Sequence, residues 1–302
     1  MKSLLLTGGS GFVGRNILPL LSQHYDVTTL GRGDRHAMTC NLACDIPAFD
    51  RRFDVVVHAA GKAHAVPVNE TEAQAFYDVN VNGTVNLCKG LEKTGVPQRF
   101  IFISSCAVYG CTRGEHIDET WPLNGTSPYA LSKIRAEAYL QEWCSRHQVV
   151  LSVLRPSLIA GPCPPGNLHS MIEGLKKGLY LRIAGGWARK SVLMVQDIAR
   201  LILLLDKTDG AGVYNICDDE HPSFRELEGL ICEQLGKGAP LNIPYWLAKC
   251  LALVGDCMGK HAPVNSRKLE KITCSLTFCN DRAKGVLGWT PLSVMENFRI
   301  YE

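Results

Sequence analysis

The apolar run Leu4-Leu5-Leu6 passes directly into Thr7-Gly8-Gly9-Ser10-Gly11-Phe12-Val13-Gly14, and nothing else in the chain constrains its fold as much. Gly8, Gly11 and Gly14 stand at a GxxGxxG spacing and open a helical pattern. In such a turn the first glycine permits a tight bend and the second lets backbone N–H groups approach a pyrophosphate. The third lets the helix pack closely on the strand. The helix N-terminus, with Phe12 and Val13 in its first turn, then faces phosphate charge.

The same rhythm continues. Val27–Leu30, Val55–His58, Phe100–Ile103 and Val149–Leu154 read as further strands, with amphipathic stretches between them. Alternation of this kind predicts an α/β fold, a Rossmann-type doubly wound parallel sheet. After Arg155-Pro156 the texture changes to Gly161-Pro162-Cys163-Pro164-Pro165-Gly166, which can continue neither strand nor helix. We expect a dinucleotide-binding domain over 1–158 and a smaller mixed α/β substrate domain over 159–302. The latter carries helical patterns at Met171–Leu179, Val195–Leu205, Phe224–Leu235 and Trp246–Val254. A strand near 212–217 is expected to return to the main sheet.

Bulk properties exclude several classes. With 302 residues, 46% of them apolar and 20% charged, the chain can bury a sizeable core. A net charge of +3 without a long basic run argues against nucleic acid and against a membrane partner. No segment reaches the roughly 20 uncharged apolar residues of a spanning helix, so Leu201–Leu205 and Trp246–Val254 read as core helices. The 13 cysteines are odd in number and never give CxxC. They read as reduced thiols, with no metal site. Met1–Leu6 is too short an apolar run for a signal peptide, and a cytoplasmic protein is expected.

The residues after the second strand bear on the choice of dinucleotide. A carboxylate there would hold a ribose 2′-hydroxyl, but Leu30 is followed by Gly31-Arg32-Gly33-Asp34-Arg35. Arg32 can pair with a 2′-phosphate and points to NADP; Asp34 can instead serve the ribose of NAD. Asp45-Ile46 is placed beside the adenine, with Asn41-Leu42 as a rival register. Ala59-Ala60-Gly61 supplies small residues where a cofactor would cross the sheet edge.

Tyr129-Ala130-Leu131-Ser132-Lys133 puts a phenol and an ammonium four residues apart on one helix face, with Pro128 at the helix start. A phenol near its reference pKa of about 10 is a poor base at neutral pH, and an adjacent ammonium is expected to lower it. Three pKa units would correspond to roughly 4 kcal/mol. Tyr129 can then exchange a proton with a hydroxyl or ketone while a nicotinamide exchanges the hydride. Upstream, a buried strand delivers Ser104 and Ser105, one of which can bond the substrate oxygen.

In this order the residues resemble the NAD-dependent epimerase/dehydratase family, the extended short-chain dehydrogenases that act on nucleotide sugars. The resemblance rests on TGGSGFVG, Val55–Gly61 (VVVHAAG), Asn80-Val81-Asn82-Gly83-Thr84, Ser104–Gly110 (SSCAVYG), YALSK, Leu154-Arg155-Pro156 and Leu287-Gly288-Trp289-Thr290-Pro291. It implies that Ser105, Tyr129 and Lys133 are catalytic and that Asn80, Ser104 and Pro156 lie with the cofactor. Lys62, Ser105, Asn167, Leu168, Arg189 and Lys190 are then placed against a nucleotide sugar. Lys190 stands where members often carry an arginine for the diphosphate, and lysine lacks its bidentate fork.

Dehydratases of the family usually carry Asp-Glu beside the catalytic hydroxyl, where this chain has Cys106-Ala107. The resemblance therefore favours a UDP-hexose 4-epimerase, with an NADPH-dependent 4-keto nucleotide-sugar reductase as the alternative. A dinucleotide-binding regulator without activity is the reading from another class. Helical stretches at Val68–Gly90 and Tyr129–Trp143 form a homodimer interface in many relatives; here they either do so or pack within one chain.

Overall fold

Leu4 and Leu6 project to one side of their strand and Leu5 to the other, and all three are fully buried. A strand buried on both faces belongs in the middle of a parallel sheet. The computed structural model describes residues 1–63, 65–257 and 265–300, the side chains of Cys257 and Arg267 aside. Its central sheet is seven-stranded and parallel. β1 (Ser3–Thr7), β2 (Asp26–Gly31) and β3 (Met38–Thr39) run outward on one side. On the other side of β1 lie β4 (Val55–His58) and β5 (Arg99–Ile103), then Val150–Pro156 and Gly212–Ile216. The strand order therefore reverses between β1 and β4, which is where open α/β sheets bind ligands.

Helices cover both faces. α1 (Phe12–Leu21) packs its Ile17 and Leu21 against Ile198, Leu201, Ile202 and Leu205 of α6 (Val195–Leu205), on the Leu4 and Leu6 side. α6 is thus the core helix expected at Leu201–Leu205. α2 (Glu70–Tyr77), α3 (Gly83–Thr94) and α4 (Pro128–His147) lie against one another on the opposite side, where Leu87, Leu140 and Trp143 meet Phe100 and Phe102.

Beyond the sheet, α5 (Gly166–Lys176) and α7 (Phe224–Gln234) enclose a second core of Leu168, Met171, Ile172, Leu227 and Ile231. Leu276–Phe278 returns to pair with Gly114–Ile117, just downstream of Ser105. Every described cysteine is a free thiol.

One expectation fails here. Trp246–Val254 lies in α8 (Tyr245–Cys257), but it is not a core helix: Trp246 is 66% exposed, Leu253 55% and Val254 62%. The pattern of apolar residues gave a helix without saying which face meets the protein, and the face chosen is the one with small side chains, Ala248 and Ala252.

Candidate active site

Gly8 has φ +74°, and a Cβ on it would stand 2.6 Å from the Ala60 nitrogen. No other residue fits a loop that meets Ala59 and Ala60 so closely. Gly14 is required for a different reason than expected. A Cβ there would stand 2.2 Å from the Gly8 carbonyl, so it lets the helix pack on its own loop rather than on the strand. Gly11 opens α1 without a side-chain cap, and the amides of its first turn, including Phe12 and Val13, are left to an anion. Ser157 Oγ, just past Pro156 at the carboxyl end of the sheet, is buried without a hydrogen-bond partner. A cradle that a Cβ would fill, uncapped amides and an orphaned hydroxyl fit a dinucleotide lying along this edge.

Around the adenosine end, Arg32 and Asp45 are exposed and Ile46 is 41% exposed. In the rival register the Leu42 side chain is buried in the core, while Asn41 is exposed. His36, which the sequence did not single out, lies over Gly31 and reaches Ser10 Oγ through Nε2 at 3.2 Å. Ser10, Arg32 and His36 thus surround the end of β2.

Ser127 caps α4 by accepting from the Ala130 N–H at 3.1 Å, which fixes Tyr129 in the first turn and Lys133 one turn on. The Ser105 hydroxyl accepts from the Ala107 N–H at 3.1 Å and lies beside the Tyr129 phenol. Burial raises the phenol above its ordinary pKa, and the neighbouring Ser105 hydroxyl only partly offsets this. Lys133, expected to lower it, is held on other partners. Nζ donates instead to the Ile103 carbonyl at 2.8 Å and lies 4.6 Å above the Phe102 ring. Burial pulls the Lys133 pKa down to about 8, against the attraction of Glu137.

The two neighbouring serines have separate tasks. The Ser104 hydroxyl donates to Glu137, whose carboxylate is paired with Arg155 at 2.6 Å and 3.1 Å. Ser104 was expected beside the cofactor, yet its side chain belongs to this buried ion pair.

Asn80 is 1% exposed and sits in a π-helical turn, Asp78–Asn82. Its Oδ1 accepts from the Lys62 N–H at 2.7 Å, and its Nδ2 donates to the Lys62 carbonyl and to Ser132 Oγ. A Cβ on Gly61 would stand 3.1 Å from Asn80 Oδ1 and 3.3 Å from Lys133 Nζ. Asn80 therefore ties the Gly61-Lys62 backbone to α4 beside Lys133.

A second device, not anticipated, supports the first. Thr84 donates its only hydroxyl proton to the Asn80 carbonyl at 2.7 Å, so its oxygen accepts from His58 Nε2 at 3.0 Å. His58 Nδ1 then accepts from Thr7 Oγ1 at 2.6 Å, and Thr7 Oγ1 accepts from the Ala60 N–H at 3.1 Å. This tautomer is assigned from the network. Burial, with Lys133 nearby, holds the His58 pKa down to about 3, and the ring is neutral.

On the substrate side, Lys62 Nζ lies 5.5 Å above the Phe76 ring, itself edge-on to Tyr129. Asn167 is exposed at the start of α5, but the Leu168 side chain is buried in the second core and can offer a ligand only its backbone. Arg189 donates to the His221 carbonyl at 2.8 Å and lies 3.5 Å from Glu226. Lys190 donates to the Cys274 carbonyl at 2.9 Å, and burial lowers its pKa to about 8. Both cations are engaged by the C-terminal half of the chain. A cavity of about 320 Å³ lined by Lys2, Asp54, Arg99 and Asp206 lies at the amino end of the strands, away from these residues.

The model of the NAD dependent epimerase/dehydratase family matches residues 4–217, and the chain belongs to that family. It is an NAD(P)-dependent enzyme. It is 30% identical over 292 residues to the N-acetyl-alpha-D-glucosaminyl-diphospho-ditrans,octacis-undecaprenol 4-epimerase of Escherichia coli O157:H7, covering 91% of this chain and 87% of the relative. It is also 30% identical to the UDP-glucose 4-epimerase of Vibrio cholerae, over 98% and 92%. Among solved structures, RMD from Pseudomonas aeruginosa complexed with NADPH superposes with a TM-score of 0.74 at 24% identity, covering 99% of this chain and 96% of that one.

Proposed function

We propose that this protein is a nucleotide-sugar 4-epimerase that removes and returns a hydride at C4 of a hexose. The observation that carries this reading is Ser105 lying beside the buried Tyr129 phenol at the carboxyl end of the sheet, followed by Cys106 and Ala107 where an acid pair would be needed for dehydration. Cys106 is no substitute acid, because it is buried, donates to the Arg155 carbonyl, and has a thiol pKa raised well above normal.

When bound, the nicotinamide dinucleotide supplies hydride exchange. The chain supplies the rest. Tyr129 exchanges the proton of the sugar oxygen, and Ser105 donates to that oxygen or to the phenolate as charge moves between them. Lys133, turned in the ligand-free structure to Ile103, is within reach of the Gly61 backbone and would hold the nicotinamide ribose. Gly8, Gly11 and the α1 amides hold the pyrophosphate. Asn167, Arg189 and Lys190 would meet the substrate diphosphate, the latter two after exchanging their carbonyl partners for it.

A second reading, an NADPH-dependent 4-keto nucleotide-sugar reductase, is favoured by Arg32 and the His36–Ser10 contact, which suit a 2′-phosphate. Denaturing the purified protein and identifying the released nucleotide separates the two, together with NMR of a UDP-hexose incubated with the enzyme. Tightly held NAD and appearance of the C4 epimer support epimerisation. Stoichiometric NADPH consumption with a 4-keto sugar replaces it with reduction. Because a relative acts on a diphospho-undecaprenol sugar, the assay includes N-acetylglucosamine carried on a polyprenyl diphosphate.

A further inference from the structure

α8 has its amphipathicity reversed. A surface helix ordinarily buries its large apolar side chains. α8 instead buries Ala248 and Ala252 against Leu269 of α9 (Ser266–Thr273), and turns Trp246, Leu251, Leu253 and Val254 to solvent at 49–66% exposure. The exposed surface continues onto its neighbours. The Arg182 N–H donates to the Leu241 carbonyl at 2.9 Å, which brings Leu181 (46% exposed) beside Leu241 (77%). The Gly185 N–H donates to Asn242 Oδ1 at 2.8 Å and so holds the turn that ends at Trp187, 66% exposed. Two exposed tryptophans with several exposed leucines are more than the scattered single apolar residues of an ordinary soluble surface.

The segments of this face carry an excess of cations, although Lys176 and Lys177 pair with Glu173 and Arg189 with Glu226 at its border. The two segments that build it, 174–196 and 234–255, contain no aspartate or glutamate, but carry Lys176, Lys177, Arg189, Lys190, Lys237 and Lys249. Along the sequence these cations are scattered through a chain of net charge +3; in the fold they belong to the two segments that carry the exposed apolar residues. A two-fold contact with a second copy would bring like charges together, whereas anionic headgroups complement them. Tryptophan and tyrosine at the rim with lysines around them is also the composition that sits at a membrane–water interface.

We propose that this face docks on an anionic lipid bilayer, with α8 lying in the interfacial plane and Trp246 and Leu253 inserted among the acyl chains. No helix among the described residues is long and apolar enough to cross a membrane, so the attachment is peripheral. Trp187 is two residues from Arg189, and docking therefore sets the expected diphosphate-binding segment close to the headgroups. This last consequence alone rests on the proposed function; membrane binding is measured without turnover.

The test is co-sedimentation of the full chain with vesicles of phosphatidylethanolamine and phosphatidylglycerol, beside vesicles of phosphatidylcholine, with tryptophan emission recorded. The expected result is binding to the anionic vesicles with a blue shift, weakened by salt. Trp246→Ser/Leu253→Ser should bind about tenfold more weakly while its circular dichroism and NADPH binding stay unchanged, since both side chains are exposed. Wild-type protein that stays in the supernatant overturns the proposal, as does a double variant that binds like wild type. A dimer that the double variant dissolves, without vesicle binding, assigns the face to a second copy instead.

Discussion

Ser104 and Ser105 are neighbours just past β5 and both face α4, yet they meet different parts of it: the Ser104 hydroxyl donates to Glu137 within the core, and Ser105 lies beside Tyr129 in the site. Substitution should separate them. Ser104→Ala leaves the buried Glu137 carboxylate short of a donor and should lower stability by about 1–3 kcal/mol, with a modest effect on turnover. Ser105→Ala removes a donor to the reacting oxygen and should lower kcat by about 100-fold, with only the small stability loss of its cap on Ala107. Thermal melts and turnover of both variants check this, and the assignment fails if the two profiles are exchanged.

Lys133 carries a conflict between stability and function. Its folded pKa of about 8 lies below the ordinary lysine value, so between these the unfolded chain binds more protons and stability rises with pH. At neutral pH the full penalty of a buried ammonium is present. Lys133→Met should therefore raise stability near pH 7 by about 1–3 kcal/mol, even after losing the bond to Ile103, while reducing turnover severely. The gain should fade as pH rises from about 8 towards the unfolded value. Denaturant melts across that range, showing a gain that does not fade, would remove desolvation as the cause.

The features legible in the sequence are those set by neighbouring residues. Gly8 is dictated by a positive φ and by the switch between β1 and β4, and Tyr129 and Lys133 share a face through helical period alone. What was not legible depends on elements distant in sequence. Lys133 turns to Ile103 because β5 passes under α4; the period that paired it with Tyr129 said nothing of that carbonyl. The choice between Ser104 and Ser105 likewise required knowing where Glu137 and Arg155 meet. His58 stood in plain view in VVVHAAG, but its partners Thr7 and Thr84 come from β1 and α3. For α8, hydrophobic pattern located the helix and left its orientation undetermined.

His58 should make the protein acid-sensitive. Its folded pKa of about 3 is depressed below the ordinary 6.5. As pH falls through 6.5 the unfolded chain takes up a proton that the native ring refuses, so stability drops between pH 6.5 and 3, by up to about 4–5 kcal/mol. His58→Gln should be less stable at pH 7 by about 1–3 kcal/mol, having disturbed the bonds to Thr7 and Thr84. Its stability should nonetheless fall less steeply below pH 6.5. Parallel curves for wild type and variant would mean that His58 is not the titrating group. Because the network ends on Ala60 and Asn80, the variant should also bind dinucleotide more weakly.

Cofactor choice turns on the end of β2. A Cβ on Gly31 would stand 2.2 Å from His36 Nε2, so a carboxylate side chain at that position would displace the His36 ring. Arg32 is exposed beside it, and His36 reaches Ser10 at the glycine loop. A 2′-phosphate could accept from all three. Arg32→Ser should weaken NADPH about 10- to 100-fold, the range of one or two charge-assisted hydrogen bonds, and leave NADH nearly unchanged. His36→Ala should act in the same direction, since its ring reaches Ser10 at the glycine loop. Calorimetric titration of both dinucleotides against both variants decides the matter. Equal losses for NADH and NADPH would show that these residues shape the loop instead of reading the phosphate, and would restore the NAD-dependent epimerase to a cofactor site without 2′ discrimination.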